Sequence, residues 1–330
     1  MAMRMSLTKM GQGHKPFQWF FSRVKGSYFF RRRRMKPILF LAMVLTLCTL
    51  MLLAVGSRPC TEYVEDSAKP NDDFIADWDA DDPRLASHIR SNYMIPPTSR
   101  ETPYNLEEPL RRDHSQRKQS MAVDRIFKGK RDGFFVEMGA YDGETYSNTL
   151  YFERFLNWTG LLVEAGAINF ANMLNKKRKA WLLKGCVHGA QKPEKRLFVE
   201  AMEVGSTEEN MNRLKLSLMR LYRRCTVAKV WCFPLKSVMN VINVTKVDYF
   251  SLDVEGGELP ILKSIPDSGI DVSVIQVEYS AFNGAFWNKD ESHKRLTEMR
   301  DFVKIHMPKL KEYRTMALDV IFARPELSTI

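Results

Sequence analysis

From about residue 120 onward, short uninterrupted apolar runs alternate with longer amphipathic stretches, and this alternation leaves few architectures open. The runs are 134–138, 161–163, 181–183, 249–252, 272–277 and 317–322, and helical candidates occupy 148–156, 168–179, 258–265 and 292–306. A strand buried on both faces is apolar throughout, whereas a half-solvated strand alternates. Strands separated by helices need crossover connections, which produce a parallel sheet covered on both faces. The expected fold is therefore α/β over residues 119–330, with a mostly parallel sheet. The last run, after Tyr313, would close the sheet as an antiparallel edge. Residues 201–229 break the alternation and read as an insertion with a basic helix carrying Arg213, Lys215, Arg220, Arg223 and Arg224.

The chain ahead of this body has a different composition. Residues 1–36 hold ten Lys or Arg and no acid, while all 39 acids lie beyond residue 56 and face 40 bases there. The net charge of +11 thus belongs to the leader, and no nucleic-acid partner is expected. Residues 37–55 carry no charge. As a helix they would rise about 28 Å, one hydrocarbon core. Arg31, Arg32, Arg33, Arg34 and Lys36 precede the run directly, and positive charge stays cytosolic. The expectation is a cytosolic tail (1–36), a transmembrane signal-anchor helix (37–55) and a lumenal or extracellular remainder. A cleaved signal peptide has a shorter leader and a shorter apolar core. The arginines would also suit acidic lipids, although orientation alone accounts for them.

Residues 56–118, rich in Asp, Pro, Asn and Ser, read as a stem with a short helix near 82–90. Asn157-Trp158-Thr159 and Asn243-Val244-Thr245 are glycosylation sequons. Cys60, Cys186, Cys225 and Cys232 permit two disulfides in three connectivities. The reading leans to a bridge from Cys186 or Cys225 to Cys232.

Three strand ends carry the candidate chemistry. In 134–143 an apolar strand ends at Glu137, followed by Gly139, Asp142 and Gly143. Ligands of doubly wound sheets sit at the carboxyl ends of strands, and glycine lets the backbone approach them. The turn lacks the G-x-G-x-x-G that cradles a pyrophosphate. It suits a ligand with a charged amino-acid end, whose cationic groups Glu137 would hold. The second strand end is Glu164, closing 160–164, where a carboxylate accepts ribose hydroxyls. The third is 247–258, with Asp253, Glu255 and Glu258 crowded at one tip. Acids at a helix start are stabilised by its dipole; alternatively, one acts as a base toward a transferred group. Carboxylates also suit magnesium or calcium, but too few further ligands accompany them and no metal is expected. Glu278 ends a neighbouring run. His188 is either a proton acceptor or, more often for a lone histidine, structural. Lys176, Lys177, Arg178 and Lys179 read as a solvated face or, less readily, a dock for an acidic partner.

These motifs in this order resemble the FkbM family of methyltransferases over roughly 120–325. The carrying residues are 133–137, 142–144, 147–150, 157–164 and 251–256, and the run from Ile95 to Leu106 is similar to animal Star-like type II membrane proteins of that family. The resemblance implies a Rossmann-like class I methyltransferase fold. It implies S-adenosylmethionine near Glu137, Gly139, Asp142, Gly143 and Glu164, with O-methylation of a hydroxyl-bearing small molecule or glycan. It places Asp253 and Glu255 in the reaction crevice. The Star-like members imply an alternative, a non-catalytic factor that helps membrane-bound growth-factor precursors leave the endoplasmic reticulum for the Golgi, with the endosome or plasma membrane as further locations. One departure stands out. After the second-strand acid the family carries an acid or asparagine and a proline, whereas this chain reads Ala165-Gly166-Ala167.

Overall fold

The computed structural model describes residues 42–47, 49–50, 61–62, 72–201, 205–207, 210, 225–283 and 286–328. The chain divides into two units, Met1–Leu53 and Ala54–Ile330. In the first, residues 42–47 and 49–50 are helical. The remainder of the expected span 37–55, the basic leader and the basic helix expected within 211–224 lie outside the described residues. Among the described residues no helix is long and apolar enough to cross a membrane.

In the second unit the strands, in chain order, are β1 (Thr61–Glu62), β2 (Met94–Ile95), β3 (Phe134–Met138), β4 (Thr159–Glu164), β5 (Trp181–Lys184), β6 (Cys186–His188), β7 (Glu194–Glu200) and β8 (Ser206–Thr207). They continue with β9 (Thr226–Pro234), β10 (Lys246–Leu252), β11 (Asp271–Glu278), β12 (Phe282–Asn283), β13 (Phe286–Trp287), β14 (Lys311–Thr315) and β15 (Asp319–Ala323). The helices that bear on the site are α1 (Pro83–Asn92), α2 (Gln119–Phe127), α3 (Leu150–Leu156), α4 (Ala167–Asn175), α5 (Leu235–Ile242), α6 (Glu258–Ser264) and α7 (Lys289–His306).

Eight strands form the main sheet, in the order β14-β15-β11-β10-β3-β4-β5-β2. The five from β11 to β5 are parallel, and β15, β14 and β2 pair antiparallel. Both faces are apolar, as continuous runs require. One buries Val136, Leu161, Phe250 and Ile275 with side chains from α1, α5, α6 and α7. The other buries Phe135, Leu162, Tyr249 and Val274 with side chains from α2, α3 and α4. Every predicted run falls in a strand, except that the last begins two residues ahead of β15. β15 is antiparallel but is not the edge, because β14 pairs outside it. All five residues of β14 are exposed, and Lys311, Glu312 and Arg314 are charged, so no apolar pattern marks it. Such charge blunts an open sheet edge.

Two stretches differ from their sequence reading. The segment read as a stem belongs to the folded domain from Asp72 onward. Asp82 caps α1 by accepting from the Arg84 N–H at 2.8 Å, with Pro83 opening the helix; both residue choices suit a helix start. α1 buries Leu85 and Ile89, β2 extends the sheet beside β5, and the N–H groups of Glu107 and Glu108 donate to Glu144. Much of the segment is held by backbone and ionic contacts, which leave no hydrophobic signature. The basic run 176–179 is likewise not a solvated face. Lys176 pairs with Glu107 and Glu144 at 2.8 and 2.9 Å, Arg178 pairs with Glu153 at 3.0 Å with both side chains fully buried, and Lys179 donates to the Thr102 carbonyl.

A second sheet follows β5 without a break. It has the order β1-β9-β7-β8, with β6 also paired to β9. A disulfide joins Cys186 of β6 to Cys232 of β9, with Cα atoms 4.3 Å apart. Cys225 is disulfide-bonded as well.

Candidate functional site

The main sheet reverses its winding at β3. The chain steps outward from β3 through β4 to β5, then returns to place β10 on the other flank of β3. Such a switch leaves a crevice beyond the carboxyl ends of the strands. A cavity of about 1210 Å³ opens there, lined by residues after β3, β4, β10 and β11 and by the second sheet. Glu137, Gly139, Glu164, Asp253 and Glu255 all line it. Asp142 and Gly143 do not.

Gly139 has φ +79°, and a Cβ there would collide with the Asp253 carbonyl oxygen. The glycine thus allows the turn after β3 to pass directly beneath the end of β10. Tyr141 (φ 50°) and Glu255 (φ 59°) also hold the left-handed conformation. For residues bearing a Cβ this conformation costs energy and is concentrated where a site constrains the backbone.

Glu164 forms one corner of the cavity. Its Oε2 accepts from the Tyr141 N–H at 2.9 Å and its Oε1 from the Gly166 N–H at 2.7 Å. Burial, with a smaller contribution from nearby Glu200, raises its carboxyl to about 8. A buried carboxyl of this kind gains from further donors such as vicinal hydroxyls.

Glu137 has a different position from the one its motif suggests. The Ser147 hydroxyl donates to it at 2.9 Å, the Asn148 N–H at 2.6 Å and the Thr149 hydroxyl at 2.5 Å. Burial raises this carboxyl, and Arg178 and these donors oppose the rise. Its two oxygens are therefore engaged in holding the loop between β3 and α3. Asp142 is similarly local. It accepts from the N–H groups of Glu144 and Thr145 at 2.8 and 2.7 Å and from the Thr145 hydroxyl at 2.8 Å. Gly143 packs toward Met173, where a Cβ would intrude. Together these residues build the turn, Glu137 from the cavity wall and Asp142 and Gly143 from outside the lining. Asn148, which sequence reasoning passed over, does face it. Its Nδ2 donates to Ser251 Oγ at 3.0 Å, while its buried Oδ1 has no hydrogen-bond partner.

The opposite end is acidic. Ligating oxygens of Asp253, Glu258 and Glu278 lie within 4.8 Å of one another. Enclosure of the carboxyl, then Glu255, Asp319 and Glu258, push Asp253 well above the usual range, although the residue as a whole keeps some exposure. Burial, then Asp253, does the same to Glu278, whose carboxyl oxygen lies within 4.8 Å of that of Asp253. Two carboxyls at such proximity share a proton. Glu258 is occupied elsewhere: it accepts from the Val254 and Gly256 N–H groups at 3.0 and 2.9 Å, with Arg295 at 3.8 Å.

His188 is structural. The Ala190 N–H donates to Nδ1 at 3.1 Å and Nε2 donates to the Cys232 carbonyl at 3.0 Å. Burial lowers it to about 4, so the ring is neutral.

The family model described as "Methyltransferase FkbM domain" matches residues 137–313. No curated protein matches the chain. Among solved structures, a TehB-like SAM-dependent methyltransferase from Corynebacterium glutamicum is similar at 10% identity, covering 64% of this chain and 89% of its own, with a TM-score of 0.33. A precorrin-6y C5,15-methyltransferase from Geobacter metallireducens is similar at 9% identity, covering 62% and 87%, also with a TM-score of 0.33.

Proposed function

Because the chain belongs to the FkbM methyltransferase family, we propose that the crevice carries out methyl transfer from S-adenosylmethionine to a hydroxyl-bearing acceptor. S-adenosylmethionine is the cofactor that comes with this membership, and the residues present fit it. Glu164 would hold the ribose, beside the apolar walls of Val163, Ala165 and Val187. The unpartnered Asn148 Oδ1 and the acidic end suit its ammonium and sulfonium charges. Bound there, the cofactor supplies an electrophilic methyl group on a positively charged sulfur.

The residues then have two tasks. One is alignment: a displacement of this kind gains chiefly from holding the acceptor oxygen in line. The other is proton removal. With one proton shared between Asp253 and Glu278, the pair can accept a second from an acceptor hydroxyl. Glu255, beside it and in a strained conformation, shapes the opening. The observation that carries the proposal is the closeness of the Asp253 and Glu278 carboxyls, within 4.8 Å, in the cavity that Glu164 also lines.

For the rest of the molecule we infer a single-pass type II anchor with the domain in the lumen of the endoplasmic reticulum or Golgi. The arginine-rich flank of 37–55 supports this, as does the exposure of both sequon asparagines, Asn157 and Asn243. The Star-like trafficking role is the second reading. It is favoured by the engagement of both Glu137 oxygens within its own loop, which reduces what that acid can offer a cofactor. Calorimetric titration with S-adenosylmethionine separates the two: micromolar binding supports the enzyme, and no heat at millimolar cofactor supports the trafficking factor. In the enzyme, Asp253→Asn lowers methyl transfer by about 10²–10⁴ and leaves cofactor binding in place. Undiminished turnover would remove Asp253 from the reaction.

A further inference from the structure

Glu200 ends β7, in the second sheet, and was not among the candidates read from the sequence. Its Oε1 accepts from the Asn169 N–H at 2.7 Å and its Oε2 from the Ile168 N–H at 3.2 Å, with the Thr226 hydroxyl at 3.3 Å. Those two N–H groups belong to the first turn of α4, where helices leave donors unsatisfied. The capping position of α4 is Gly166, which has no side chain to offer. A Cβ on Gly166 would meet Oε1 of Glu200 and, close by, Oε1 of Glu164. Two carboxyl groups from two different sheets therefore converge on one glycine. This accounts for the departure Ala165-Gly166-Ala167: the loop needs no acid or asparagine because the second sheet delivers one, and it needs glycine because that carboxyl occupies the space.

We propose that Glu200 is a positioning residue for the nucleoside corner, capping α4 from the second sheet and setting the charge of Glu164 across Gly166. What Glu164 binds rests on the function proposed above; the coupling of the two carboxyls does not. The groups that bear on Glu164 are the N–H groups of Tyr141 and Gly166, the Asn169 side chain and the Glu200 carboxyl, and of these Glu200 alone is charged. Removing that charge lowers the pH at which Glu164 ionises. It thereby extends to lower pH the range in which a carboxylate is available to ribose hydroxyls.

The test uses the full chain and two readouts. The melting-temperature difference between wild type and Glu164→Gln, followed from pH 5 to 9.5, reports ionisation of Glu164 without any ligand. In wild type this difference changes up to about pH 8; in a Glu200→Gln background it levels off about one unit lower. S-adenosylhomocysteine is the second probe. At pH 7 its affinity rises up to about tenfold in Glu200→Gln, the equivalent of one unit, and the two proteins converge above pH 9. Coincident melting profiles in the two backgrounds overturn the proposal. So does affinity lost equally at every pH, the mark of a cap alone. If wild type binds no S-adenosylhomocysteine at any pH while the melting profiles still separate, the methyltransferase reading falls and the coupling stands.

Discussion

Glu137 poses the clearest contrast between a ligand-binding acid and a structural one, and Glu137→Leu decides between them. The substitution keeps most of the side-chain bulk and removes the acceptor of three hydrogen bonds. The Ser147 and Thr149 hydroxyls still accept from the Arg178 guanidinium, but a guanidinium cannot take their protons in return. The Asn148 N–H is fixed by the backbone, and a stranded buried donor costs about 1–3 kcal/mol. Arg178 also loses a nearby negative partner, although its ion pair with Glu153 persists. The total is about 2–4 kcal/mol, and in a domain of this size each kcal/mol moves the melting point by about 2–4 °C. The expected shift is a fall of about 5–15 °C by calorimetry, while S-adenosylmethionine affinity measured well below the melting point weakens only through the loosened loop. If Glu137→Leu melts like wild type yet binds no cofactor, the clamp is refuted and Glu137 is a ligand residue.

Apo stability falls as pH rises from about 6.5 to about 8, above the range in which neutralisation of buried His188 opposes the loss. Glu164 is raised in the folded state, so its contribution is complete below the ordinary carboxyl range and is lost as it ionises; a melting temperature that climbs across this window contradicts the assignment. Arg178→Met strands the fully buried Glu153 and costs about 3–5 kcal/mol, whereas Lys177→Met, at an exposed position in the same basic run, is neutral; urea titrations compare the two. Replacing Cys186 and Cys232 by serine releases a loop closed over 46 residues, worth about 4 kcal/mol in the chain-entropy account, and calorimetry reads the loss. Millimolar magnesium or EDTA leaves the melting temperature within a degree, and a stabilisation of several degrees by either calcium or magnesium would establish a metal at the acidic end.

The parallel sheet was legible because its strands are buried on both faces, and continuous runs such as Phe134–Met138 and Asp271–Glu278 carry that burial in their composition. β14 was not legible, since an exposed, charged edge strand has the composition of a loop. Nor was the packed segment after Asp72: Glu107 and Glu108 are polar residues whose backbone groups do the holding. At the site, position along the chain revealed which acids stand at strand ends, and Gly139, Glu164, Asp253 and Glu255 do meet in one cavity. Position cannot reveal whether an acid faces inward to its own loop, and that is where Glu137 and Asp142 differ from expectation. Glu200 was hidden for another reason. Its only local mark is a charge closing the apolar end of β7, Phe198 and Val199, and its partners lie about thirty residues earlier in the chain.

The acidic end shows how the same local packing limits the chemistry. Three carboxyls within 4.8 Å would repel one another if all were ionised, and two remedies exist: a shared proton or a divalent cation. A hard cation of that class needs six or more oxygen ligands. Glu258 has committed an oxygen to the backbone of Val254 and Gly256, where it fixes the loop that carries Glu255. Asp253 and Glu278 remain, close enough to share a proton. Two carboxyls linked by one proton need no metal to coexist, and they present a single negative charge to whatever enters the cavity. Such a pair keeps one basic oxygen, which a hydroxyl proton neutralises, and that is the property required of a base in the proposed reaction. It also makes the acidic end a poor host for an anionic acceptor, since a second unit charge about 4 Å away costs about 4 kcal/mol near a protein surface. In the proposed reaction the negative charge of these carboxyls thus disfavours an anionic acceptor and leaves neutral and cationic ones open.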